Sequence, residues 1–253
     1  MLDKKERIIL GVIGACVIIA VIVGLISKIE FELPYIGFVD RLLGKPYSDG
    51  DYDGIDVSKH QGIIKWDEVA QNKKIKFVYI RATMGRGHKD KRYERNISGA
   101  REAGLKVGSY HFLTSKSSID EQFRDFLAAA KPSKQDLIPM VDVENGYFNT
   151  WTKAQLQDSL AKFSSLVKEH YGRKPMIYSN VSFYNKNLAP RFNDHIIYIA
   201  NYSSYMPSIR GKYDHNLWQY SEHGHIRGIG EYVDLCRFTN GTTIDDITIK
   251  RQD

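Results

Sequence analysis

Residues 75 to 112 read IKFVYIRATMGRGHKDKRYERNISGAREAGLKVGSYHF, and their rhythm decides the fold. Ile75–Thr83 is a short run of β-branched and aromatic residues, which predicts a buried strand. Lys91–Ala103 carries apolar residues at helical spacing, and Leu105–Phe112 returns to a strand pattern. Two strands separated by a helix are what parallel pairing requires, because a tight turn cannot reverse the chain twice.

Working outward, the same alternation recurs. Further strands are predicted in YDGIDVS (52–58), LIPMVDVE (137–144), KPMIYSN (174–180), HIIYIANY (195–202), HNLWQYS (215–221) and GEYVDLCRF (230–238), and further helices in Trp66–Asn72, Ser118–Ala130 and Lys153–Tyr171, with Thr152 near the start of the last. Between the sixth, seventh and eighth strands there is too little chain for a proper helix. Eight strands with early crossover helices predict an α/β fold, a compact TIM-like (β/α) barrel, closed and parallel, with few late helices. The chain has 253 residues, 42% of them hydrophobic, enough for one large domain with a buried core.

The N-terminus predicts a different environment. Lys4, Lys5 and Arg7 precede Ile8–Ile26, which is uncharged and almost wholly apolar. As a helix this run spans about 28 Å, close to the roughly 30 Å of a bilayer's hydrocarbon. No small-x-small cleavage site follows, since Gly24-Leu25-Ile26 places Ile where a small residue is needed. IGAC, ending at Cys16, is a poor lipoprotein box because ten apolar residues follow it. The expectation is one uncleaved N-terminal transmembrane helix: residues 1–7 a cytoplasmic stub, 8–26 the anchor, 27–52 a linker and 53–253 the barrel domain outside the cytoplasm, by the positive-inside rule. Cys236 is alone beyond the anchor, so no internal disulfide staples the domain. The formal charge of +6 invites an anionic partner, but the basic residues are scattered without nucleic-acid-binding signatures, so no nucleic acid is expected.

The polar residues gather at strand ends: Asp56, Arg81, Tyr110 with His111, Asp142 with Glu144, Tyr178 with Asn180, Asn201 with Tyr202, Gln219 with Tyr220, and Asp234. In a β/α barrel the C-terminal strand ends build the active site, and ordinary solvated ends do not explain three separate strands ending in Asp or Glu. Residues i and i+2 of a strand share a face about 6.5–7 Å apart, so Asp142 and Glu144 both project into the barrel mouth while Val143 points towards the helices. Two acids this close do not both ionise freely, so one keeps a proton near neutral pH. A proton donor beside a fixed negative charge suits cleavage of a glycosidic bond. With an N-acetylated sugar the acetamido oxygen is an alternative nucleophile, with Asp142 orienting it and Glu144 as general acid. Asp56 and Asp234, on the first and last strands, would be neighbours across the barrel seam. Aromatic residues at the strand ends (Tyr110, Tyr178, Tyr202, Trp218, Tyr220) offer faces for pyranose rings.

These segments, GIDVSKHQGIIKW, FVYIRAT, GSYHF, PMVDVE, MIYSN, LWQYS and YVDLCRF, resemble in order and spacing the family 25 glycoside hydrolases, the Chalaropsis-type lysozymes, over about residues 53 to 240. The resemblance implies an eight-stranded barrel and hydrolysis of the β-1,4 bond between N-acetylmuramic acid and N-acetylglucosamine of peptidoglycan. Carried over position by position, it implies Asp56, Asp142, Glu144 and Asp234 as the catalytic acids, with Glu144 the proton donor. It leaves a carboxylate nucleophile and neighbouring-group participation both open. Arg81, Tyr110, His111, Tyr178, Asn201, Tyr202, Trp218 and Gln219 are expected to contact substrate. His60 departs from the aromatic residue that many relatives carry there.

Three rivals are weaker. A chitinase-type site would carry further acids where Met140 and Leu137 stand. A catalytically silent peptidoglycan-binding module is the alternative reading, opposed by the four intact acids. A metal-dependent amidase has only His223 and His225 in H-G-H, read as a loop, and no H-E-x-x-H spacing, so no metal or cofactor is expected. Four N-x-S/T matches at Asn96, Asn180, Asn201 and Asn240 are read as chance.

Overall fold

A computed structural model describes residues 50–146, 150–203, 205–211 and 214–250. The apolar segment 8–26 and most of the linker lie outside them, and among the described residues no helix is long and apolar enough to cross a membrane.

The eight barrel strands are β1 (Gly54–Val57), β2 (Phe77–Met84), β4 (Lys106–Phe112), β5 (Met140–Asp142), β6 (Met176–Asn180), β7 (Ile197–Ala200), β8 (Leu217–Gly224) and β9 (Val233–Phe238), with β3 (His88–Lys89) a short hairpin arm on β2. Neighbouring pairs run from β1 round to β9, and both the β1–β2 and β1–β9 pairings are made, so the barrel closes. The helices are α1 (Trp66–Val69), α2 (Tyr93–Glu102), α3 (Ile119–Ala129), α4 (Lys153–Tyr171), α5 (Val181–Phe183) and α6 (Ile244–Ile247). Ser118 and Thr152 start α3 and α4 with capping boxes to Glu121 and Gln155, and Gly172 ends α4 at a left-handed φ of 77°.

One expectation is corrected. The barrel is not wholly parallel: β9 runs antiparallel to both β8 and β1. The cause lies in the connection, since the few residues between Gly224 and Val233 can close a hairpin but not a crossover. The H-G-H motif is likewise not simply a loop, because His223 and Gly224 end β8.

Strand alternation divides the core into two shells. Ile55, Val78, Ile80, Val107, Val141, Ile177, Ile199 and Leu235 face outward beneath the helices. Phe77, Tyr79, Tyr110, Met140, Tyr178, Tyr198, Leu217 and Cys236 fill the barrel interior, closed at the bottom by Ile247 of α6, whose carbonyl accepts from Ile138 N at 2.8 Å. Two strand glycines make this crowded interior possible. A Cβ at Gly54 would sit 2.3 Å from the Phe77 ring, and one at Gly108 would sit 2.4 Å from Tyr79 Cε1.

Candidate active site

The C-terminal ends of the parallel strands open on a cavity of about 150 Å³ lined by Asp56, Tyr110, Met140, Asp142, Glu144, Tyr178 and Asp234. Asp142 ends β5, and Val143 N still donates to Tyr178 O at 3.0 Å, which carries the extended path on to Glu144. Asp234 reaches the same cavity from the beginning of its strand. Because β9 runs the other way, its start lies at the mouth, and Asp234 stands directly opposite Asp56 in the register.

Asp56 is the best anchored of the four acids. Its Oδ2 accepts from Tyr198 Oη and from Gln219 Nε2, both at 2.9 Å. Gln219 is buried, and its Oε1 accepts from Tyr178 Oη and Tyr202 Oη, both at 2.8 Å. One amide therefore fixes an acid on β1, a tyrosine on β6 and a tyrosine after β7.

The electrostatics follow from crowding acids into a poorly solvated space. Burial holds Asp142 well above the usual carboxylate range, and the charges of Glu144 and Asp56 push the same way, with Arg81 opposing. Glu144 is raised by burial and then by Asp56, with the nearby Tyr178 hydroxyl opposing. Asp234 is pushed up to about 9, first by burial and then by Asp56. Burial also raises Asp56, but its bonds from Gln219, Tyr198 and Asp234 pull it back. In this pair the charge of Asp56 adds to the rise of Asp234, while hydrogen bonds favour the ionised form of Asp56. Asp142 Oδ1 has no hydrogen-bond partner, an acceptor left open at the centre of the site. Among the described residues no group of three or more His, Cys, Asp or Glu is arranged to hold a metal ion.

The other expected contacts divide. Tyr110 and Tyr178 line the cavity, and Tyr202, 51% exposed, is tied to it through Gln219. Arg81 is bound through Nε to Asp90 Oδ2 at 3.0 Å and acts electrostatically on Asp142 and Tyr110. Gln219 positions the site from behind rather than lining it. Asn201 is turned into its own loop, donating to Ser203 Oγ at 2.7 Å and Tyr205 O at 3.2 Å.

Two expected contacts are corrected. His111 is fully buried on the outer side of the barrel, stacked 5.0 Å from Phe163 and bonded to Thr83 Oγ1 at 2.8 Å and Gln122 Oε1 at 3.2 Å. Trp218 is also turned away, donating to Asn201 O at 2.7 Å with the Arg237 guanidinium 4.5 Å from its ring centroid. Both neighbour an inward residue, Tyr110 and Gln219, so the pleat sends them to the other face. Tyr220 lies with Trp218 beside Arg237. The sequence reading missed Tyr198, Met140 and Glu222. Tyr198 shares the inward parity of Ala200 on β7, a usable signal; Glu222, which raises Glu144 and Asp234, lies past the expected end of β8.

An eight-stranded barrel with raised carboxyl groups gathered at its mouth is the architecture of a glycosidase. The sequence matches the model of the glycosyl hydrolases family 25 over residues 55–229, and the chain belongs to that family. It is 34% identical over 193 residues to the protein YegX of Escherichia coli strain K12, covering 75% of this chain and 70% of that one. It is 27% identical over 218 residues to lysozyme M1 of Streptomyces globisporus, covering 80% and 72%. The crystal structure of the bacterial lysozyme from Streptomyces coelicolor superposes with a TM-score of 0.69 at 27% identity, covering 78% of this chain and 96% of that one.

Proposed function

We propose that this glycosidase is a muramidase that hydrolyses the β-1,4 bond between N-acetylmuramic acid and N-acetylglucosamine of peptidoglycan, with Glu144 as general acid and Asp142 as its stabilising or orienting partner. The observation that carries the reading is the convergence of Asp56, Asp142, Glu144 and Asp234 on one cavity, with every carboxyl raised. Burial and the neighbouring acids raise Glu144 and so favour its protonated form, the donor that the leaving glycosidic oxygen needs. Burial and Glu144 favour the neutral form of Asp142, and its unpartnered Oδ1 suits an acetamido N–H of the substrate. Asp56 and Asp234 share a proton at the side of the site and hold its charge balance. The family match and the lysozyme relatives support the substrate class.

The test is product analysis. The full chain should release muropeptides with reducing N-acetylmuramic acid ends from purified peptidoglycan; reducing N-acetylglucosamine ends would assign a different bond. A folded protein that binds the wall and releases nothing would favour the silent binding module.

The apolar segment 8–26, behind Lys4, Lys5 and Arg7, supports a second proposal of place: a single-pass anchor holding the barrel outside the cytoplasm. With the barrel in the periplasm or the extracellular space, protease added to spheroplasts should digest it from outside. Full protection, with digestion only after lysis, would place it on the other side.

A further inference from the structure

Buried Asp90 organises one flank of the acidic cavity. Its Oδ2 accepts from Lys59 N and Arg81 Nε, both at 3.0 Å, and its Oδ1 accepts from Arg92 N at 2.9 Å. Three separate segments are thereby tied together: the turn after β1, the middle of β2, and the entry to α2. Each brings positive charge. Lys59 and Lys91 are exposed, Arg92 half-buried, and Arg81 lies close enough to act on Asp142 and Tyr110 inside the cavity. His60 lies within the field of both Arg81 and Lys59.

The adjoining hairpin gives the contrast. Arg86 is spent on Glu121 at 2.8 Å and Lys89 on Glu94 at 2.7 Å. Among the described residues the side chains of Lys59, Lys91 and Arg92 have no acidic partner, and Arg81 uses only Nε on Asp90. The cleft thus has an acidic floor and a basic flank on which Lys59 and Lys91 are exposed, Arg92 half-buried and Arg81 mostly buried. A neutral glycan has no use for such a flank. A glycan strand carrying peptides with free carboxylates does.

We propose that the Lys59–Arg81–Lys91–Arg92 flank is a subsite for the peptide carboxylates of peptidoglycan, so that the protein favours strands whose stems are present and ionised. This rests on peptidoglycan being the substrate. The buried, already crowded floor disfavours a further ionised carboxylate, while the flank attracts it to one side. The peptide is steered away from the scissile bond and the strand is oriented in the cleft.

The test measures binding and turnover separately, with the full chain and its Lys59→Gln/Lys91→Gln/Arg92→Gln variant. A second variant, Lys106→Gln/Lys131→Gln/Lys168→Gln, removes the same charge at exposed sites away from the flank. Each is sedimented with native peptidoglycan, with peptidoglycan whose carboxylates have been amidated, and with peptidoglycan stripped of phosphate polymers. The flank variant should bind native wall roughly tenfold more weakly than the parent, as three exposed pairs allow. The parent should weaken similarly on amidated wall, and amidation should not weaken the flank variant further. KM should follow Kd, with kcat little changed. Equal binding by parent and flank variant overturns the proposal. So does the same loss in the second variant, which would mean general charge attraction. Loss of parent binding only on phosphate-stripped wall names phosphate as the partner and also overturns it. Carboxylate-dependent binding with no cleavage by the parent would sustain the flank while defeating the muramidase reading.

Discussion

Gln219 is the residue on which the site's geometry depends most, although it does not line the cavity. Gln219→Met keeps the length and bulk of the side chain and removes three hydrogen bonds at once. The bond to Asp56 is to a charged acceptor and contributes about 1.5–3 kcal/mol. Buried Tyr178 loses its partner but can turn towards Glu144, at a cost of about 1 kcal/mol, and Tyr202, half-exposed, turns to water at almost none. Burying a methionine in place of an amide returns about 1 kcal/mol. The net loss is about 1.5–3 kcal/mol, which in a domain of this size lowers Tm by roughly 3–12 °C. Activity should fall further than stability alone requires, by about 10- to 100-fold in kcat/KM at a temperature where the variant is folded, because Asp56 and two tyrosines lose their common support. Thermal unfolding by circular dichroism and wall digestion at 25 °C measure both. A variant that melts within 2 °C of the parent and digests wall at the parent's rate would refute the role given to Gln219.

Three further outcomes follow from the same structure. The site acids have folded-state pKa values raised above their unfolded values, so their stabilising contribution is full below about pH 4 and is lost as pH rises through the raised values. Glu144→Gln should therefore raise Tm at pH 7 and leave it nearly unchanged at pH 4; the reverse order would contradict the electrostatic account. His111→Leu should cost about 2–3 kcal/mol in urea unfolding by losing the Thr83 bond and the Phe163 stack, with KM for wall unchanged; a raised KM at full stability would return His111 to the substrate. Gly108→Ala should cost at least about 2 kcal/mol, because its methyl meets the Tyr79 ring at 2.4 Å in a packed barrel, and a neutral result in the same unfolding assay would show that the ring can move.

The sequence carried more of the barrel than of the site. Crossover helices and buried runs were legible because periodicity and length report burial directly, and α4 begins and ends where its pattern said, at Lys153 and Tyr171. The reversed last strand was not foreseen, although the short connection after Gly224 contains the reason. Asp234 was assigned to the end of its strand, whereas the reversal places it at the mouth from the beginning. His111 and Trp218 were misplaced because closeness to a strand end was weighed without strand parity; once Tyr110 and Gln219 face inward, their neighbours cannot. Glu222 escaped because β8 outruns its apolar pattern, and Asp90 because nothing in a charged hairpin marks the one acid that is buried. The four N-x-S/T asparagines show how little such a motif means by itself. Asn96 is buried in α2, Asn180 and Asn201 use their side chains locally, and Asn240 donates to His215 O.

The central claim is that Glu144 delivers the proton to the leaving oxygen. The most direct measurement compares Glu144→Gln with the parent on peptidoglycan and on a nitrophenyl glycoside of the same aminosugar, whose leaving group departs without a proton. If Glu144 is the acid, turnover of peptidoglycan falls by about 10²- to 10⁴-fold while the nitrophenyl substrate is cleaved at close to the parent's rate. Equal losses on both substrates, or a full rate on peptidoglycan, would contradict the assignment.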